Sequence, residues 1–216
     1  VKDIPAIKGR YYIHRLIEEG EHEHQDFKFA ISDARKIARS ISAFANNDGG
    51  RLLIGVKDNG VVAGIRNEED IYMIETAAQT FCKPSVDVAF TAFKVDPGTV
   101  VIRAEIPKTL HPPVCVKEAD GQLKAYYRVK DENILAPDVM LRSWYHYANS
   151  DGTLMRLTEN HNAILSLLRS RGKVTIEDCE RLTHLSHDAT VDLLGRLIAT
   201  SIVSISYDGA QFLITI

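Results

Sequence analysis

The stretch Ala43-Phe44-Ala45-Asn46-Asn47-Asp48-Gly49-Gly50-Arg51-Leu52-Leu53-Ile54-Gly55-Val56-Lys57-Asp58-Asn59-Gly60 holds a helix end, a glycine stop, an apolar strand and a tight turn. Upstream, Ala34, Ile37, Ala38, Ile41, Phe44 and Ala45 recur at helical spacing, and Arg35, Lys36, Arg39 and Ser42 stay off that stripe. Ser32 stands where an N-cap belongs, and the helix is expected to end at 46–50, where Asn, Asp and Gly favour a turn. Arg51 to Lys57 then reads as a strand. Asn59-Gly60 between two apolar runs predicts a hairpin with Val61 to Ile65 as the partner strand.

Working outward, Tyr11 to Glu18 carries Tyr12, Ile13, Leu16 and Ile17 on one side of a short helix that Gly20 can stop. Gln25 to Ala30 is a strand candidate, and Glu68 to Phe81 returns to helical period until Pro84 forbids continuation. Val86 to Val95, Thr99 to Ile106, Val114 to Lys117 and Leu123 to Val129 are β-branched or aromatic runs separated by turn residues, which predicts an antiparallel meander. Ala136 to Ala148 closes the region as a helix, and Asn149-Ser150-Asp151-Gly152 reads as a domain boundary. Three helical stretches (158–171, 175–183 and 186–199) and a hairpin (202–206 with 211–216) then predict a winged helix-turn-helix. The expected architecture is α/β, with a mixed, largely antiparallel sheet and flanking helices over residues 1–150 and a small winged-helix domain over 151–216.

A net charge of −3 excludes a global basic field, so binding to nucleic acid would need a local patch. Lys28, Arg35, Lys36, Arg39, Arg51 and Lys57 supply one within thirty residues. No apolar run approaches the ~18 residues that span a bilayer, and the N-terminus has no apolar signal core. A cytoplasmic protein without membrane contact is expected. Cys82, Cys115 and Cys179 are odd in number and widely spaced, which argues against a disulfide framework and a Cys-ligated zinc.

The chemistry-bearing cluster is Glu21-His22-Glu23-His24-Gln25-Asp26-Phe27-Lys28. In a strand, Asp26 and Lys28 share one face while Phe27 and Phe29 take the other, toward the core. A carboxylate that holds a metal beside an ammonium that stabilises phosphoryl charge suits phosphodiester chemistry. Asp58 leaves the end of the 51–57 strand, and pairing of the two strands would bring it toward Asp26, with Glu21 as a third oxygen ligand. Such a site suits Mg²⁺ or Mn²⁺ better than zinc. Ordinary turn chemistry at Asp58 and solvated charge at Glu21 and Glu23 explain the same residues equally well.

Glu21-x-Glu23-x-x-Asp26-Phe27-Lys28, the 43–60 stretch, Val62-Ala63-Gly64 and Ala125-Tyr126-Tyr127-Arg128-Val129 together resemble the Schlafen-like AlbA domain, also called a divergent AAA domain, over roughly residues 10 to 148. The resemblance implies an α/β nucleic-acid-binding domain of the kind found in prokaryotic transcriptional regulators, often joined to a C-terminal winged helix. In animal Schlafens the similar domain carries an RNase site of two glutamates, a lysine and an aspartate. Carried over, these fall on Glu21, Asp26, Lys28 and Asp58, with aspartate at 26 where the family has glutamate. The animal enzymes use two copies as a clamp, so a comparable groove here implies a homodimer. No Walker loop supports the ATP-binding name.

The combined expectation is a DNA-binding protein of transcriptional-regulator type, with Arg35, Lys36, Arg39, Arg51, Arg128 and Lys130 contacting the nucleic-acid backbone. The alternatives are a metal-dependent nuclease acting through Glu21, Asp26, Lys28 and Asp58, and a protein-docking scaffold. The face of the expected recognition helix, His187, Asp188, Thr190, Asp192 and Arg196, has two acids and one clear base, leaving base reading and protein docking both open.

Overall fold

The computed structural model describes residues 4–149 and 155–216, and the chain divides into two units, residues 1–135 and 136–216. The first contains β1 (Ile7–Lys8), α1 (Arg10–Glu18), β2 (Gln25–Lys28), α2 (Ala34–Asn46), β3 (Gly50–Ile54) and α3 (Glu69–Thr76), which runs into a π-helical turn (Ala77–Phe81). It continues with β4 (Cys82–Lys83), β5 (Ala89–Asp96), β6 (Thr99–Ile106), β7 (Cys115–Lys117), β8 (Leu123–Val129) and β9 (Glu132–Leu135). The second contains α4 (Asp138–Ala148), α5 (Glu159–Arg171), β10 (Lys173–Val174), α6 (Ile176–Thr183), α7 (His187–Ala199), β11 (Ser204–Tyr207) and β12 (Phe212–Thr215). The fold is mixed α/β with largely antiparallel sheets. Among the described residues no helix is long and apolar enough to cross a membrane.

The expected single meander is split between two sheets, one ordered β1-β5-β6-β3-β2 and the other β4-β7-β8-β9. Strand β3 is central, parallel to β2 on one side and antiparallel to β6 on the other. Both of its edges are thus occupied, which explains why the Asn-Gly hairpin expected after it does not form. Residues 61–65 contribute only an isolated bridge, Val56 to Val62. The chain leaves β3 at Gly55, whose φ of +95° carries it so close to Gly64 that a Cβ would lie 2.7 Å from that carbonyl carbon.

Helix α2 lies between the sheets, and this placement makes its whole circumference matter. Ala38, Ile41 and Phe44 are buried in a core shared with Leu52, Ile54 and Ile102 of one sheet and with Val116 and Tyr126 of the other. Ser42, expected on the solvent side, is also buried and donates to the Val114 carbonyl oxygen at 2.7 Å. The N-cap is Asp33 rather than Ser32: its carboxylate accepts from the Arg35 and Lys36 amides at 2.8 and 3.3 Å. The opposite face of the first sheet packs Phe27, Leu53, Phe93 and Val101 against Ile13 and Leu16 of α1.

The unit boundary falls about fifteen residues before the expected one. Val139 of α4 is fully buried in the second unit's core with Ile164, Leu168, Leu194 and Ile214, so α4 is part of that core. Asn149 closes α4, while 150–154 lie outside the described residues. Strands β10, β12 and β11 form a three-stranded antiparallel sheet in that order.

Candidate acid-lysine site and adjoining cleft

Gly20, with φ of +73°, ends α1 and turns the chain toward β2. Gln25, fully buried, fixes this corner: its Nε2 donates to the Leu16 and Gly20 carbonyls at 2.5 and 2.7 Å, and its Oε1 accepts from Arg51 Nε at 2.7 Å. The corner folds Glu21 back over β2, where its carboxylate accepts from the Phe27 amide at 2.8 Å. β2 is an edge strand, so this carboxylate stands where a further strand would place a carbonyl.

Strand alternation then does what the sequence predicts. Phe27 enters the α1 side of the core, whereas Asp26 and Lys28, opposite Leu52 and Ile54, face the α2 side. Lys28 Nζ lies 2.7 Å from Asp26 Oδ2 and donates to the Phe27 carbonyl at 2.8 Å. Phe29 departs from the expectation: it lies half-buried beyond the strand end with Lys57 and Arg66 near its ring. Asp26 is 5% exposed, and Arg128 Nη2 approaches its other oxygen at 3.7 Å.

Glu21 and Asp26 therefore form a carboxyl pair beside one ammonium and one guanidinium. Burial, a hydrogen bond with Asp26 and the Asp26 charge raise the Glu21 pKa to about 7, against the opposing pull of the Phe27 amide and Lys28. Between the ordinary value of 4.5 and about 7, the folded state keeps a proton that the unfolded state has released, so stability falls as pH rises through that window. Glu21→Gln, fixed in the neutral form and still able to accept from Phe27, should match the wild type near pH 4.5. At pH 8 it should be more stable by about 1–2 kcal/mol, the full linkage value being reduced by the partial solvent access of Glu21. Urea unfolding at the two pH values tests this, and an equal gap at both would refute the shared-proton pair.

The third expected carboxylate is not part of the cluster. Asp58 is exposed on the turn, six residues beyond Leu52, the partner of Asp26. Two turns of chain, at Gly55 and at 57–60, separate it from β2. Among the described residues no group of three or more His, Cys, Asp or Glu side chains is arranged to hold a metal ion, so the expected three-carboxylate centre for Mg²⁺ or Mn²⁺ is not assembled.

The expected backbone contacts divide sharply. Arg39 is held by Glu118 through two hydrogen bonds of 2.8 and 2.7 Å, an arrangement that, with the Tyr126 hydroxyl, lowers the Glu118 pKa to about 2. Arg51 is bound by Gln25 and by Glu19 at 2.5 Å. Arg35 is half-buried with its guanidinium over the Phe81 ring. Arg128 is 1% exposed, donates to Asn133 at 2.8 Å and stacks on Phe44, which makes it an interior residue rather than a surface contact. Lys36 and Lys130 remain exposed. Each of these four arginines has a partner distant in sequence.

A cleft of about 360 Å³ opens beside the pair, lined by Asp26, Lys28, Ser32, Lys36, Arg39 and Arg128 among others. Arg128, which lines it, is held by residues not foreseen as part of a site. Asn47 clamps the Arg128 backbone, accepting from its amide at 3.1 Å and donating to its carbonyl at 2.8 Å. Asn133 joins Arg128 to Ser40 of α2. The adjacent asparagines after the helical run were the only signal for Asn47, and they read as a helix stop.

In the second unit, α4 lies along the face of α7 that was expected to read bases. Asp192 is bound by His146 at 2.9 Å and Arg196 at 3.0 Å, with Arg142 at 3.7 Å. A Cβ on Gly195 would meet the Arg142 backbone at 3.1 Å. Thr190, expected on that face, is fully buried, and His187 is bound to Glu180. Asp188 and Arg196 stay exposed.

The family model described as Schlafen, AlbA_2 matches residues 21–137, more than half of the chain, and ends where α4 begins. No curated protein matches the sequence. Among solved structures, the DIP2311 protein from Corynebacterium diphtheriae is similar, with 16% identity and a TM-score of 0.46, over 80% of this chain and 32% of that one. The chain thus spans about a third of that protein's length. The N-terminal domain of a RecG-related protein from Nitrosomonas europaea is similar at 17% identity and a TM-score of 0.42, over 56% of this chain and 88% of that one.

Proposed function

The chain belongs to the Schlafen AlbA_2 family, which is associated with nucleic acid, and we propose that it binds nucleic acid as a DNA-binding regulatory protein through the cleft between β2 and α2. The observation that carries this reading is one cleft in which Lys28, Lys36, Arg39 and Arg128 outnumber Asp26, Asp33 and Asp131, in a chain whose net charge is −3. Lys36 and Lys130, exposed near the cleft and on the β8–β9 turn, are the groups available to meet phosphates, and Lys28 within the cleft would join them by exchanging Asp26 for a phosphate oxygen. Three such contacts make a weak, salt-sensitive interaction, and a single copy of the domain provides one wall of a groove, which a homodimer would complete.

The order α5-β10-α6-α7-β11-β12 supports a winged-helix reading of the second unit. The cover of α7 by α4 favours protein docking or dimerisation over base reading for that unit.

Fluorescence anisotropy with labelled tRNA, single-stranded DNA and duplex DNA at low salt tests the proposal. Affinity should fall with salt on a log–log slope of about 2–3, and Lys36→Glu should weaken binding about tenfold without loss of stability. Absence of binding to all three at low salt would overturn it.

A second reading, phosphodiester cleavage, is favoured by the Glu21–Asp26 pair beside Lys28. A carboxyl that titrates near neutral pH can move a proton at its oxygen, and Lys28 Nζ can stabilise negative charge on a phosphoryl oxygen. Cleavage of the labelled nucleic acids, with or without Mn²⁺, that is lost in Glu21→Gln and kept in Asp58→Ala is the pattern expected from this geometry. Intact but shifted nucleic acid leaves binding alone.

A further inference from the structure

The segment that carries Lys28 out of the cleft runs into an aromatic ring held under two cations. Phe29 lies half-buried just past β2, with Arg66 Cζ 4.7 Å and Lys57 Nζ 5.3 Å from its ring centroid. Both cations are exposed, and among the described residues neither side chain forms an ion pair or a hydrogen bond. Asp58 adjoins Lys57 in sequence without pairing to it, and Glu69 is engaged by Asn67 at 3.0 Å. Lys28 and Ala30, on either side of Phe29 in the chain, both line the cleft, so the ring adjoins its rim.

The three side chains stand on anchored backbone. Before Phe29, the Lys28 carbonyl accepts from the Gly55 amide at 2.8 Å; after it, the Ile31 amide donates to the buried Asp70 carboxylate at 2.8 Å. The Lys57 amide donates to the Val61 carbonyl at 3.0 Å, and the Ile65 amide, next to Arg66, donates to the Val100 carbonyl at 2.8 Å. The cluster is thus placed before any partner arrives, which lowers the cost of binding. It does little for the fold, since two like charges repel and an exposed cation over a ring adds small stability.

An anionic partner would relieve that repulsion, and the plane of the guanidinium narrows its chemistry. A guanidinium lying on a ring keeps its outer face open, and such a face stacks on a flat base that is not sealed inside a duplex. An acidic peptide would answer the charges but leave the plane unused. Building on nucleic-acid binding in the cleft, we propose that Phe29 and Arg66 form a stacking platform for one unpaired base of a single-stranded nucleic acid at the cleft rim, with Lys57 meeting an adjacent phosphate.

The full chain is titrated at low salt, by fluorescence anisotropy, with a labelled oligothymidylate of about 20 nucleotides and with an abasic strand of equal length, which keeps the phosphates and lacks the bases. Oligothymidylate should bind about tenfold more tightly than the abasic strand. Arg66→Lys keeps the charge and removes the plane, so it should weaken oligothymidylate binding about tenfold and leave the abasic strand within about twofold of the wild type. Phe29→Leu fills the same half-buried position without a flat ring; it should give the same pattern and melt near the wild type. Equal affinity of the wild type for the two strands, or full oligothymidylate affinity in Arg66→Lys, would overturn the platform and leave phosphate binding in the cleft standing. Failure to bind either strand would overturn both.

Discussion

Arg128→Met is expected to lower the stability of the first unit by about 3–5 kcal/mol, although arginine in a Tyr-x-Arg strand invites assignment as a phosphate contact. The side chain is 1% exposed. Its guanidinium joins Asn133 and Phe44 to the neighbourhood of Asp26, which is itself 5% exposed. Methionine can follow the aliphatic stem but supplies neither donors nor charge, so Asp26 would keep Lys28 as its one close counter-charge, and Asn133 Oδ1 would lose its donor. Urea unfolding at pH 7 reads the effect directly. Asp26→Asn in the same chain should restore part of the loss, because the charge left behind is then gone. A drop of less than about 1 kcal/mol, with nucleic-acid affinity alone affected, would return Arg128 to the role of a surface contact.

Asn46→Ala should cost about 2–5 kcal/mol, for a different reason. Asn46 is 7% exposed, and its amide crosses from α2 to β8 and to Val114, the residue before β7. Nδ2 donates to the Val114 carbonyl at 3.0 Å and the Tyr126 carbonyl at 2.9 Å, while Oδ1 accepts from the Val114 amide at 2.7 Å. Truncation leaves these backbone groups in an interior that water does not reach. Ser42 retains one bond to the Val114 carbonyl and one from the Tyr126 amide, which sets the lower end of the range. Thermal unfolding of Asn46→Ala checks this, and a stability within about 0.5 kcal/mol of the wild type would show that the bridge contributes little.

These two residues mark the limit of what a sequence shows. Patterns of short range were legible: the alternation that sets Asp26 and Lys28 against Phe27, the period of α2, and the β6 and β8 strands depend on neighbours within a few residues. The Asn-Gly hairpin was misread because a local turn signal says nothing of whether the strand before it has a free edge, and β3 has none. Arg39 and Arg51 looked available because Glu118 lies 79 residues from the one and Glu19 lies 32 from the other. Asn149-Ser150-Asp151-Gly152 marked the end of a helix correctly but not the end of a unit, since α4 sends Val139 into the core that follows it. Asp58 was placed by the expectation of a straight strand, and Gly55 bends the chain away.

The carboxylate of Glu21 and the ammonium of Lys28 cover the outward amide and carbonyl of Phe27 on the edge of the first sheet. Bare strand edges recruit other chains, and charged groups placed over them keep a protein monodisperse. Substitutions at these two positions thus touch self-association as well as chemistry. Alanine at 21 would uncover a peptide group that glutamine still covers, so a lost activity in the alanine variant would be indistinguishable from a chain sequestered in aggregates.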